Sequence, residues 1–182
     1  MKALRASRAE PSPARRAHGL WSRAGTCAVL LLLASLVAGA APQSITGAVE
    51  RVFDGDSMIV RARGRDIEVR LAEIDAPEKG QPYADTSSKA LQGMVLGKKV
   101  RLQVLEVDRY GRTVARAYRL SDDAWINAEM VRRGHAWVYR RHVRDKHLYD
   151  IEREARMRQA GLWALPEAQR TPPWEWRRSH PR

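Results

Sequence analysis

The sequence predicts an α+β, mainly β, chain: five short strands closed into a Greek-key barrel, with three helices. Three observations carry this. Five short runs rich in β-branched residues recur along the chain, Ile45 to Phe53, Ser57 to Ala62, Ile67 to Leu71, Lys99 to Val107 and Thr113 to Leu120. Turn signals separate them, Asp54-Gly55, Gly64 and Asp108-Arg109-Tyr110-Gly111-Arg112. A helical pattern interrupts the series between the third run and the fourth. At 182 residues and 44% apolar, the chain has room for one cored domain and an extra segment.

The extra segment comes first. Lys2, Arg5, Arg8, Arg15, Arg16 and Arg23 precede an apolar run from Cys27 to Val37, which ends in Ala38-Gly39-Ala40. A basic region, a short apolar stretch and small residues before a cut site describe a secretory signal peptide. A retained membrane anchor is the alternative, but the run is shorter than the about 20 residues needed to span a bilayer. Residues 1–40 are therefore expected to be removed and the product to be secreted or periplasmic, with no stable membrane association. Cleavage would take away Cys27, the only cysteine, so no disulfide framework supports the remaining chain.

The first three strands read as an antiparallel meander, ended by Pro77, Gly80 and Pro82 because proline cannot continue a ladder. A first helix follows, with Asp85, Thr86 or Ser87 as cap, Ala90, Leu91, Met94 and Val95 on one face, and Gly97 as its stop. Two more strands come next. A second helix is expected from about Asp123 to Arg133, with Ile126, Met130 and Val131 inward and Gly134 as its C-terminal cap. A third runs from about Asp145 to Gln159, and its pairs Glu152–Arg156 and Glu154–Arg158 are spaced for a solvated face. Gly161 ends it, and Leu162-Trp163 can fold back as an apolar plug. Five strands with an inserted helix fit the OB barrel better than a sandwich. The domain is expected over 41–165, followed by a Pro/Trp/Arg-rich tail over 166–182 whose paired tryptophans favour packing on the barrel.

Charge narrows the function. Lys and Arg number 33 against 21 Asp and Glu, a net +12. Such an excess points to a polyanion, either nucleic acid or an anionic membrane surface. In so basic a chain the clustered acids are the informative residues. Asp54-Gly55-Asp56-Ser57 stands at the first turn and Asp75-Ala76-Pro77-Glu78 follows the third strand, and a meander can bring the two segments together. Asp-Gly alone is an ordinary hairpin turn. Several carboxylates around one point repel, and a hard cation held by oxygen ligands would relieve that repulsion. An EF-hand is excluded, because counting from Asp54 its sixth position would be Ile59 and its twelfth Arg65. His135, His142, His147 and His180 show no zinc-binding spacing and read as surface or helix-end residues. Arg70 and Arg112 stand where guanidinium groups could reach phosphate oxygens. A cation, a carboxylate able to take a proton from water and two arginines make a phosphodiester hydrolysis site.

Three segments in order resemble the staphylococcal nuclease (thermonuclease) family, as an exported bacterial member: Val52-Phe53-Asp54-Gly55-Asp56-Ser57, Arg70-Leu71-Ala72-Glu73-Ile74-Asp75-Ala76-Pro77-Glu78 and Asp108-Arg109-Tyr110-Gly111-Arg112. The likeness extends over about residues 45–165 and includes Asn127 to Gly134 and Gly161-Leu162-Trp163. It implies an OB-fold, calcium-dependent, sugar-nonspecific nuclease that cleaves DNA and RNA to leave 3′-phosphate ends, with one Ca²⁺ per active site, acting as a monomer. By matched position, Asp56, Asp75 and the backbone carbonyl of Ala76 would hold the ion, with Asp54 supporting from nearby. Glu78 would position or deprotonate the attacking water, and Arg70 and Arg112 would bind the scissile phosphate. Arg109 and Tyr110 would contact a neighbouring nucleotide phosphate. Tyr139 is the nearest candidate for the family's nucleotide-stacking tyrosine. Ser57 and Ala76 depart from the threonines of the best-known member. The competing reading is a non-catalytic nucleic-acid-binding OB module, but such a module has no physical reason to keep acids beside a phosphate groove.

Overall fold

β-Branched residues and period-two alternation form the barrel where expected. The computed structural model describes residues 43–181, so the predicted signal segment, 1–40, lies outside the described residues. β1 (Ser44–Val52), β2 (Ser57–Ala62) and β3 (Arg65–Leu71) are an antiparallel meander. After β4 (Ile74–Asp75) and α1 (Ala84–Val95), β5 (Lys99–Val107) pairs with the free edge of β1 and β6 (Thr113–Arg119) pairs with β5. β6 then runs parallel to β3, Val69 opposite Thr113 and Leu71 opposite Ala115, and closes a five-stranded mixed barrel of the OB type. Register shifts in β1 between Val49 and Arg51 and in β5 between Val104 and Glu106 supply bends that closure needs. Val49, Met58, Val60, Val69, Leu71, Leu102 and Ala117 fill the interior, all almost wholly buried.

The helices pack on this barrel. α1 buries Leu91, Met94 and Val95 as its spacing predicts, but its cap differs. Tyr83, in the left-handed region at φ 73°, precedes it without a side-chain cap, and Asp85, Thr86 and Ser87 lie inside its first turns. Ser87 is used across the fold instead, donating to the carbonyl of His135 at 2.7 Å. The second helix also begins later than expected. β7 (Ala124–Trp125) pairs with β6 first, Trp125 stacks on Tyr118, and α2 (Ile126–Arg132) follows. Buried Asn127 locks α2 to the barrel, accepting from Ala117 N and donating to Ala72 O, both at 2.9 Å. β8 (Trp137–Val138) pairs with β4, and two-residue strands of this kind leave no periodic signal in a sequence.

α3 (His147–Met157) carries a second correction. Glu152 is not on a solvated face: it is buried, accepts from Val138 N at 2.9 Å and pairs with Arg156, whose guanidinium lies 4.0 Å from the centre of the Trp163 ring. His135 is likewise half-buried, stacked on Tyr83 and bonded to its hydroxyl, rather than on the surface. The ends of α2 and α3 cross through Gly134 and Gly161, where a Cβ on Gly134 would stand 2.0 Å from Ala160 O. Both have positive φ, so each glycine serves close approach and turn together. Leu162 and Trp163 fold back, buried, as the expected plug. A fourth helix, one more than predicted, lies in the tail: α4 (Pro173–Ser179), with proline in its first turn.

Candidate active site

The turn between β1 and β2 aims its acids inward. Asp54 Oδ1 accepts from Asp56 N at 3.0 Å and from the Ser57 hydroxyl at 2.6 Å, a side-chain turn that fixes Asp56. Gly55 is required by close approach, not by a left-handed φ: a Cβ there would stand 1.9 Å from Ser87 Oγ and 2.7 Å from the Ala76 methyl. The meander brings the second acidic segment alongside. Asp56 Oδ2 accepts from Ala76 N at 2.7 Å, and Asp56 Oδ1 accepts from Arg70 at 2.6 Å. Arg70 also donates to Asp75 Oδ1 at 2.8 Å, so one guanidinium on β3 bridges both acids. Asp75 is wholly buried, held by the β4–β8 pair. Glu78, its side chain partly exposed, sits on the following loop, whose amide donates to Gln81 Oε1.

Burial pushes the Asp56 carboxyl up to about 7, against the pull of Arg70 and with added repulsion from Asp54 and Asp75. Arg70 is held more firmly protonated, chiefly by the Asp56 charge. On the β5–β6 loop, Asp108 Oδ1 accepts from Tyr110 N and Arg112 N, while its Oδ2 accepts from Arg112 Nε at 2.8 Å. That loop presents exposed Tyr110 with Arg109 and Arg112 over its ring. A single cleft of about 1660 Å³ has Asp54, Asp56, Arg70, Ala76 and Glu78 on one side and Arg109, Tyr110 and Arg112 on another. Every predicted site residue but Asp75 lines it, and Asp75 lies directly behind Arg70. The arrangement combines guanidinium groups able to bind a phosphodiester with carboxylates able to take up a proton.

Comparison with known proteins decides what this cleft belongs to. The family model described as staphylococcal nuclease homologue matches residues 68–165. The chain is 38% identical over 173 residues to Protein ParB of Escherichia coli, covering 90% of this chain and 94% of that one. It is 38% identical over 164 residues to a micrococcal nuclease of Shigella flexneri, covering 84% and 90%. It is 41% identical over 133 residues to an uncharacterized endonuclease of Escherichia coli O157:H7, covering 73% and 85%. The chain belongs to the staphylococcal nuclease family. It is a nuclease, a hydrolase acting on nucleic acid.

For a nuclease of this family the fit of a cation is a matter of donor chemistry. Asp54, Asp56, Asp75, Glu78 and the Ala76 carbonyl offer only oxygen, suited to a hard ion. Asp54 and Asp75 add repulsion to the buried Asp56 carboxyl, and a divalent ion would relieve it. As the side chains stand, no three acids, histidines or cysteines among the described residues are disposed to hold an ion. Arginine nitrogens occupy the acid oxygens instead. Arg70 takes one from each aspartate, and Arg177 of α4 donates to Asp75 Oδ1 at 3.1 Å, Asp75 Oδ2 at 2.8 Å and Glu78 Oε1 at 2.6 Å. The donor set fits the ion, and the arginines must yield oxygens to it.

Arg177 is the site residue that sequence reasoning missed. Its signal was a helix start, Pro172-Pro173 before Trp174-Glu175-Trp176-Arg177, in a tail whose pattern suggests packing on the barrel or a nucleic-acid contact through stacking and charge. Trp176 and His180 from the same helix line the cleft, as do Tyr139, Arg141, His142 and Arg144 from the segment between β8 and α3. Tyr139 stacks on Trp174 with ring centres 5.8 Å apart.

Proposed function

We propose that the protein is an exported, calcium-dependent, sugar-nonspecific nuclease that hydrolyses DNA and RNA to 3′-phosphate ends. The observation that supports this reading is the Arg70 bridge between Asp56 and Asp75, a guanidinium beside two acids, in a cleft that Asp56, Arg70 and Arg112 line. Asp56, Asp75 and the Ala76 carbonyl would hold one calcium ion, with Asp54 bracing Asp56. When bound, calcium supplies Lewis acidity that polarises a phosphoryl oxygen. Arg70 and Arg112 bind the scissile phosphate and stabilise the charge that grows on its oxygens. Glu78 orients the attacking water and accepts its proton. Arg109 and Tyr110 hold a neighbouring phosphate.

Nothing in this set reads a base or a sugar hydroxyl by a dedicated pair of donors, which supports the sugar-nonspecific reading. Export rests on the N-terminal pattern of 1–40, with a monomer in the secreted or periplasmic space as its product. Among the described residues no helix is long and apolar enough to cross a membrane.

The test incubates purified protein with single-stranded DNA, duplex DNA and RNA, in calcium or in a calcium chelator. Cleavage of all three in calcium alone, with 3′ ends that a polymerase or transferase extends only after phosphatase treatment, is expected. Binding without cleavage in calcium would overturn the reading.

A further inference from the structure

The C-terminal helix is seated by more than charge. Pro173 is buried, Trp174 stacks on Tyr139 and meets Trp137 edge-on at 5.9 Å, and Gln81 donates to Thr171 O at 2.6 Å. This packing carries α4 across the open side of the acid cluster and delivers Arg177 to it. The Arg177 guanidinium grips Asp75 with two nitrogens and Glu78 with one of them. Both oxygens of Asp75, whose side chain is 1% exposed, are then spoken for, Oδ1 by Arg70 and Arg177, Oδ2 by Arg177. Trp176 and His180, stacked with ring centres 3.8 Å apart, add a plate on the cleft wall beside it.

A cation held by Asp75 needs at least one of those oxygens. Two arginines could give way, and they are not equivalent. Arg70 projects from the middle of a barrel pairing, opposite Ser57 and Val114, and is bonded to both aspartates. Arg177 stands on a seven-residue helix at the end of the chain and its side chain is 39% exposed. Moving Arg177 disturbs no strand, and water can solvate it as it leaves. The geometry points to a competition: Arg177 and the divalent cation are alternative partners of the Asp75 carboxylate, and α4 is a strap whose arginine occupies that carboxylate until the cation displaces it. This rests on the calcium reading above. It also assigns the tail a role, since a helix that only packed on the barrel would not need an arginine aimed at the acids.

The experiment is calorimetric calcium titration of the full chain as wild type, Arg177→Gln, Arg177→Lys and Arg178→Gln, with hydrogen exchange of 171–180 followed alongside. Among the described residues, Arg178 bonds the Trp174 carbonyl of its own helix and none of the acids, and it controls for lost charge. Loss of the two-pronged, charge-assisted contact in Arg177→Gln should tighten calcium binding by about tenfold. Arg177→Lys should fall between that variant and wild type, and Arg178→Gln should match wild type. In wild type, calcium should speed exchange of the α4 amides. Equal calcium affinity in wild type and Arg177→Gln, or weaker binding in the variant, overturns the competition while leaving the calcium reading intact. So does calcium binding that leaves α4 protected. If no variant takes up calcium, the calcium reading itself fails and takes the competition with it.

Discussion

At the scale of single residues, the site turns on which carboxylate reaches the cleft. Asp56 is enclosed and tied to Arg70 and Ala76 N, and Asp75 is enclosed behind it. Glu78 is the acid of the second segment that lines the cleft, its side chain 21% exposed and paired with Arg177. That position suits a base, because the proton it takes must come from a molecule arriving with the substrate. Glu78→Gln keeps the Oε1 acceptor and the volume but cannot take up a proton. It should lower kcat by about 10²–10⁴-fold and leave substrate binding nearly unchanged. Steady-state kinetics and a binding isotherm on the same variant check this, and an unaltered kcat removes Glu78 from the role.

At the scale of elements, one residue holds the far wall of the cleft. Glu73 adopts φ 68°, a conformation that costs a non-glycine residue about 1 kcal/mol or more. Its main-chain carbonyl accepts from Tyr139 N, and its carboxylate accepts two bonds from Arg116 and one each from Arg144 N and Asp145 N. Both halves of the residue therefore pin the segment between β8 and α3, which brings Tyr139, Arg141, His142 and Arg144 to the cleft. Burial pushes the Glu73 carboxyl upward, but the Arg116 and backbone hydrogen bonds outweigh it and hold the group below its ordinary 4.5. A carboxyl lowered by folding adds stability above its unfolded value and loses it as pH falls through the folded one. Glu73→Gln should cost about 2 kcal/mol at pH 7, by leaving Arg116 underpaired, and the gap should shrink near pH 3. Urea unfolding at the two pH values measures it, and an equal gap at both rejects the ion pair as its source. Elements of this kind also mark where sequence reasoning reached its limit. β2 and β5 match their predicted spans because alternation over six to nine residues is a strong local signal. The acid–arginine set was legible because turn residues at strand ends fix where side chains must point. β4, β8 and α4 were not, since two-residue strands have no period and α4 is placed by Trp174, whose partners Trp137 and Tyr139 are far away in the chain. Glu152 misled for the same reason: its i, i+4 arginine is real, but its decisive partner is Val138 N on another element.

At the scale of the whole molecule, the basic excess and the acid cluster act at different ranges. Residues 41–182, with 27 Lys and Arg against 20 Asp and Glu, carry a net +7 that draws a polyanion from a distance, and the cleft concentrates positive charge in Arg70, Lys79, Arg109, Arg112, Arg141 and Arg144 around the acids. The acids oppose binding locally, so affinity must come from the arginine rim and its release of counterions. Binding of a single strand should then weaken with added salt on a log–log line of slope about −0.7 per phosphate neutralised. Arg141 and Arg144 lie at the rim, away from the acid wall, and Arg144 is already shared with Glu106 at 2.9 Å. Arg141→Ala should therefore flatten the slope by about 0.7, and Arg144→Ala by less, because part of its charge is spent on Glu106. Fluorescence anisotropy of a labelled oligonucleotide with the Glu78→Gln protein in a calcium chelator, where cleavage is not expected, gives both slopes. A salt-independent affinity, or identical slopes in all three proteins, would place the substrate track elsewhere on the surface than the rim formed by the segment that Glu73 holds.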